Sequence, residues 1–126
     1  MAVYHLSAKI IGKTNKGKRP GATSLRTVVA AAAYRAGEKL KNLVNGQSYD
    51  FTKKQVVHTE ILLPQGAPSK WHNRQVLWNK VEAKETGAKA QYCRELVIAL
   101  PTELSQEDNI QLIRCFAQRN FVDLGM

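Results

Sequence analysis

The chain is short of acids, of cysteine and of long apolar runs. It has 10 Asp and Glu against 19 Lys and Arg, a net charge of +9 at pH 7. A chain so poor in acid is a weak candidate for a cationic partner and a good one for a polyanion. No apolar run approaches the roughly 20 residues of a membrane-spanning helix, so no membrane contact of that kind is expected. The N-terminus, Met-Ala-Val-Tyr-His, lacks a charged region followed by an apolar one and is read as no signal peptide. The two cysteines, Cys93 and Cys115, have no metal-type spacing. They are expected as buried thiols in a reducing compartment, hence a cytoplasmic location. Disorder is excluded by the 44% of hydrophobic residues, enough for a core in one domain or part of one.

The distribution of charge is more telling than its size. Residues 1–46 carry nine bases (Lys9, Lys13, Lys16, Lys18, Arg19, Arg26, Arg35, Lys39 and Lys41) against the single acid Glu38. The other 80 residues carry ten bases and nine acids, so +8 of the +9 lies in the first third. A cationic front on a nearly neutral body suits nucleic acid. A solvated face that merely aids solubility remains the alternative.

Periodicity places the elements. Val3–Ile11 alternates as a strand, and Gly12–Gly21 reads as a loop. Gly12 and Gly17-Lys18 approach a phosphate-binding loop, but Arg19 stands where Ser or Thr is needed. Thr23 or Ser24 is a candidate cap for a helix running to Glu38 or Leu40. Asn45-Gly46 signals a turn before a short strand within 47–52. Val56–Leu63 is expected as a strand stopped by Pro64. Ser69 or Lys70 begins a helix to Glu85, ended by Gly87, with Trp71, Leu77, Trp78 and Val81 as apolar anchors. Tyr92–Leu100 is a further strand. Ser105 with Asp108 opens a last helix to Phe121, with Ile110, Ile113, Phe116 and Ala117 inward. Mixed order of this kind is an α+β or α/β pattern.

Within the first helix, Leu25, Val28, Val29 and Ala32 share a stripe at about 100° per residue, and Tyr34 falls nearly opposite. A ring off the apolar stripe and among cations can face a phosphodiester. It can equally be a partly buried aromatic whose hydroxyl reaches water.

Six segments, in order, resemble the N-terminal part of the MobA/MobL family of plasmid conjugative relaxases and the nicking domains of TraA-type proteins. They are Ala2–Ser7, Ala31–Leu40, Val57–Pro64, Leu77–Asn79, Arg94-Glu95 running into Ala99–Pro101, and Asn120–Met126. The resemblance implies an α+β domain with a central, largely antiparallel sheet and flanking helices, here incomplete. It implies nicking of single-stranded DNA at a plasmid transfer origin, by a tyrosine that becomes linked to the 5′ phosphate. Tyr34 matches that nucleophile, and Glu95 matches a glutamate near metal and nucleophile. Accessory or coupling proteins are possible further partners.

A phenol is almost wholly protonated at neutral pH and needs a base or a positive field to attack an anionic phosphate. Arg35 stands next in sequence, though helix neighbours diverge by about 100°. Glu95 can orient a ligand histidine; as an ordinary strand carboxylate it would pair with a lysine on a solvent face. The family implies a divalent ion, Mg²⁺ or Mn²⁺, held by two histidines flanking one strand residue. No such pair exists here: His5, His58 and His72 stand apart. The family pair follows soon after the segment matching Phe121–Met126, so residues 1–126 are expected to stop short of the metal-ligand strand. His5 and His58 are the candidates left within the chain, as ligands or as hydrogen-bonded structural residues. Lys13, Lys16, Lys18, Arg19, Arg26 and Arg35 are the candidate phosphate contacts, with Tyr4, Tyr49 and Trp71 as stacking platforms. A non-catalytic DNA-binding remnant and an RNA-binding domain are the competing readings.

Overall fold

The computed structural model describes residues 5–16 and 23–126. The fold is α+β with antiparallel pairing throughout the described residues. Its longest ladder joins β1 (Leu6–Gly12) to β6 (Gln91–Ile98), with Leu6 opposite Ile98 and Lys9 opposite Glu95. The register shifts between Ile11 and Gly12. That irregularity lies where the buried Ile11 and Tyr92 meet Val28 of the first helix.

The loop expected over Gly12–Gly21 is in part a ladder. Strand β2 (Thr14–Lys16) pairs with β3 (Thr23–Leu25). The Arg26 N–H donates to the Lys13 carbonyl (2.7 Å), and the Lys13 N–H to Ala90 (2.9 Å), which fastens the hairpin base to the body. Because β3 uses Thr23 and Ser24, the helix cannot begin there. Helix α1 (Val28–Ala36) starts after Thr27, whose Oγ1 accepts from the Val29 N–H at 3.2 Å. It stops at Gly37, φ +64°, not at Glu38 or Leu40. A Cβ at Gly37 would lie 2.8 Å from Val56 Cγ2 and 3.1 Å from the Lys54 carbonyl, so only glycine serves this left-handed cap.

Beyond Gly37, β4 (Lys39–Lys41) and β5 (Ser48–Asp50) form a hairpin around the expected Asn45-Gly46 turn. Val56–Leu63 forms no strand, against the sequence expectation. Its β-branched residues suit a sheet, but no neighbouring strand offers a ladder, and strand preference is expressed only in that context. Ser69–His72 makes a 3-10 turn instead of the start of the second helix. Helix α2 (Arg74–Lys84) begins after Asn73, whose Oδ1 accepts from the Val76 N–H at 3.1 Å. Helix α3 (Gln106–Asn120) begins at the expected Ser105 cap, which accepts from the Asp108 N–H at 3.1 Å.

The core lies between α1 and α2. Val28, Val29 and Ala33 are almost fully buried, with Ala32 close behind, and Trp78 of α2 packs against both of the clusters they form. Val28, Val29 and Ala32 of the expected stripe are therefore the buried face of α1, while Leu25 lies on β3, before the helix. A polar knot joins these helices. The buried Glu82 carboxylate accepts from the Val28 N–H (3.0 Å) and from the Asn42 amide. Asn42 Nδ2 also donates to Thr27 Oγ1 at 2.7 Å. Asn79 adds a second clamp, donating to the Lys41 and Gln75 carbonyls and accepting from the Leu43 N–H. By contrast α3 buries no residue; Ile110, Ile113 and Ala117 are half-buried and Phe116 is exposed. Cys93 is half-buried and Cys115 exposed, so only the former approaches the expected buried thiol. Burial pushes the Cys93 thiol up, the Arg35 guanidinium opposing that shift.

Candidate functional site

Tyr34 sits in the last turn of α1 with half of its surface open to solvent (50%). The ring is outside the core, well off the helix face that carries the buried Val28, Val29 and Ala32. Two residues from the segment after β5 hold it. Phe51 meets it edge-on, centroids 5.3 Å apart at 89°, and itself packs on the Val29–Ala33–Leu40 cluster. Lys54 Nζ stands 3.6 Å from the Tyr34 ring centroid and donates to the Tyr34 carbonyl at 3.0 Å.

The backbone explains this placement. The Phe51 N–H donates to Glu38 (3.2 Å) and the Lys54 N–H to Phe51 (3.0 Å), so the chain turns back over the end of α1. The close approach at Gly37 admits the turn. Lys54 also satisfies one of the carbonyls that a helix leaves unpaired at its C-terminus, where positive charge is favoured.

Arg35 points elsewhere. Its Nε donates to the Glu95 carboxylate of β6, and its Nη1 to the Ala31 carbonyl at 2.9 Å. The guanidinium hydrogen bond holds the Glu95 carboxyl below the usual carboxylate range, and the same bond raises Arg35. Glu95 thus has its partner, an arginine across the sheet-helix boundary, and Lys9 opposite it on β1 adds positive charge. The structure brings Arg35, one position after Tyr34, together with Glu95. It makes Arg35 a clamp between α1 and β6 whose side chain stays partly exposed (44%).

The other candidates are dispersed. Lys13 Nζ donates to the Thr86 carbonyl at 3.0 Å. Arg26 is exposed and lines a cavity of about 570 Å³ with Lys13, Glu82 and Tyr92. Lys16 lies on β2, where only the backbone is described, and Lys18, Arg19 and Tyr4 lie outside the described residues. The Tyr49 hydroxyl donates to Gln47 and accepts from Asn45, and Trp71 is half-buried.

The histidines do not converge. His58 stands 3.6 Å from Glu60, whose main partner is Arg114 of α3 (2.8 Å). It lines a groove of about 780 Å³ between α1, β6 and α3, together with Arg35, Arg74 and Leu96. His5 lines a separate, apolar cavity with Leu6, Ile98 and Phe116. The adjacent strands that would make them neighbours are absent, because residues 56–63 form no strand. Among the described residues no group of three His, Cys, Asp or Glu side chains is placed to hold an ion, and Glu95 is already engaged by Arg35. A divalent ion of the kind the resemblance implies does not fit this donor set.

The comparisons with known proteins bear on the region just described. The model of the MobA/MobL family matches residues 26–126, a span holding Tyr34, Arg35, Lys54 and Glu95. The chain belongs to the MobA/MobL family. Two relatives are a conjugal transfer protein TraA from Rhizobium radiobacter and a mobilization protein MobL from Acidithiobacillus ferridurans. The first is 39% identical over all of this MobA/MobL chain, which spans 12% of that protein. The second is 38% identical over 94% of the chain, which spans 28% of it. A solved structure described as "Molecular Basis of Vancomycin Resistance Transfer in Staphylococcus aureus" superposes with a TM-score of 0.81 at 32% identity, covering 94% of this chain and 56% of that one. The chain thus corresponds to a minor part of the curated relatives it matches. Among the described residues of this MobA/MobL chain, no helix is long and apolar enough to cross a membrane.

Sequence reading missed Lys54 and Phe51. The signal was faint: an aromatic followed three positions later by the second of two lysines, after a turn. Nothing in linear spacing ties them to Tyr34, 20 and 17 positions earlier.

Proposed function

We propose that the chain forms part of a relaxase nicking domain. In this reading Tyr34 attacks a phosphodiester of single-stranded DNA at a plasmid transfer origin and becomes joined to its 5′ phosphate. The observation that carries the reading is the presentation of Tyr34: half-exposed at a helix end, held by a ring and an ammonium, outside the core. Membership of the MobA/MobL family supports it. In the attack the phenol oxygen bonds to phosphorus, the 3′ oxygen of the neighbouring nucleotide leaves, and the phenol proton passes to a base or solvent. Arg35 and Glu95 act as a brace that keeps α1, and with it Tyr34, fixed on β6. The divalent ion expected for such chemistry has its donors outside these 126 residues. The partners proposed are the transfer-origin strand and accessory proteins of DNA transfer.

The test places this chain in the Acidithiobacillus MobL relative, replacing the matching region. The chimaera is mixed with labelled transfer-origin single strand and Mg²⁺ or Mn²⁺. A covalent protein–DNA adduct is expected, and Tyr34→Phe removes it. An adduct that survives Tyr34→Phe refutes the assignment. A second reading, a DNA-binding module without chemistry, is favoured by the absence of a converging donor set among the described residues. It requires salt-sensitive DNA binding and no adduct in the chimaera.

A further inference from the structure

We propose that Lys54, not Arg35, is the positioning cation of Tyr34: it holds the ring in its outward orientation and sets a positive charge over the ring face. The inference rests on the nucleophilic role proposed above for its purpose, and on geometry alone for its existence.

Among the described residues, Lys54 and Arg35 are the cations that interact with Tyr34. Arg35 is adjacent in sequence, but its guanidinium is divided between Glu95 and the Ala31 carbonyl, and its charge is balanced by that carboxylate. Lys54 makes no salt bridge among the described residues. Its ammonium has three N–H groups, and one goes to the Tyr34 carbonyl. The others remain beside the ring face, 3.6 Å from the centroid. A cation in that place is attracted by the neutral ring and more strongly by the charge that grows on the oxygen as the proton leaves.

The placement is held from several sides. Phe51 is anchored in the core and closes one edge of the ring. The Lys54 N–H is bonded back to Phe51. The Lys54 carbonyl lies against Gly37, where no Cβ fits without displacing this turn. A lysine whose only task was to cap α1 would need the carbonyl contact; it would not need the ring. A charge held in place before reaction acts without reorganisation when the phenolate forms.

The experiment reads Tyr34 itself, without DNA. The 126-residue chain is O-acetylated with N-acetylimidazole at fixed pH, a reaction of the phenolate, and Tyr34 and Tyr49 are quantified by peptide mapping. Lys54→Met, which keeps length and loses charge, is expected to slow Tyr34 about two- to fivefold relative to Tyr49, the order of effect a single unit charge exerts in water over a few ångströms. Lys54→Arg, which retains charge and ring contact, restores the rate. A Lys54→Met protein that melts like the wild type and labels Tyr34 equally fast or faster overturns the proposal. If Lys54→Met fails to fold, wild-type labelling at rising NaCl decides: a falling Tyr34 to Tyr49 ratio supports the charge, a constant one rejects it. In the chimaera, Lys54→Met slows adduct formation and Lys54→Arg recovers it. A chimaera that forms no adduct in any variant refutes nicking, while the labelling still judges Lys54.

Discussion

Glu82 tests whether the platform under Tyr34 rests on a polar knot. Its carboxylate is buried, one oxygen accepting from the Val28 N–H at the start of α1 and the other from the Asn42 amide. Glu82→Gln keeps the shape and removes one acceptor. Whichever way the new amide is turned, its NH2 faces a donor: the Val28 N–H or Asn42 Nδ2. One buried donor loses its partner, which costs about 1–3 kcal/mol. Loss of negative charge at the helix N-terminus adds about 0.3–1 kcal/mol. Together the change is about 1.3–4 kcal/mol, a drop in Tm of roughly 4–16 °C for a chain of this size. Asn42 is itself buried and Thr27 Oγ1 is its remaining acceptor, so relaxation has little room. Calorimetry or circular-dichroism melting at pH 7 measures it. A Tm within about 2 °C of the wild type would refute the reasoning, showing that the knot adapts or admits water.

Two further outcomes follow from the same geometry. Glu95 is held low by Arg35, so its pairing stabilises the fold above the ordinary carboxylate range near pH 4.3 and is lost as pH falls through the lowered value. Glu95→Gln is expected to cost about 0.5–1 kcal/mol at pH 7, since both side chains keep some exposure, and the difference from wild type should shrink as pH falls below the ordinary carboxylate range in urea melts. A difference that stays constant from pH 7 to 3 would contradict the pairing. Gly37→Ala meets both a left-handed backbone and the Val56 side chain at 2.8 Å, and should lose about 1–3 kcal/mol while loosening the turn that carries Lys54. Its Tm and the Tyr34 labelling rate are read together; an unchanged pair of values would show that this approach is not tight in solution.

Read alone, the sequence determined the charge distribution, the family and the outward side of α1. Net charge and its crowding into the first 46 residues are properties of composition. The buried stripe of Val28, Val29 and Ala32 follows from helical period, which acts over neighbouring residues, and it put Tyr34 opposite. The Asn45-Gly46 turn and the Ser105 cap were legible for the same reason: each depends on a few adjacent side chains. Tertiary structure alone decided what surrounds Tyr34. It gave Arg35 to Glu95, 60 positions away, and brought Lys54 over the ring. It also left Val56–Leu63 without a strand, because a ladder needs a partner that local preference cannot supply. Period and capping are local forces; the placing of a charge beside a ring depends on how distant segments close on one another, and no short stretch of sequence contains that.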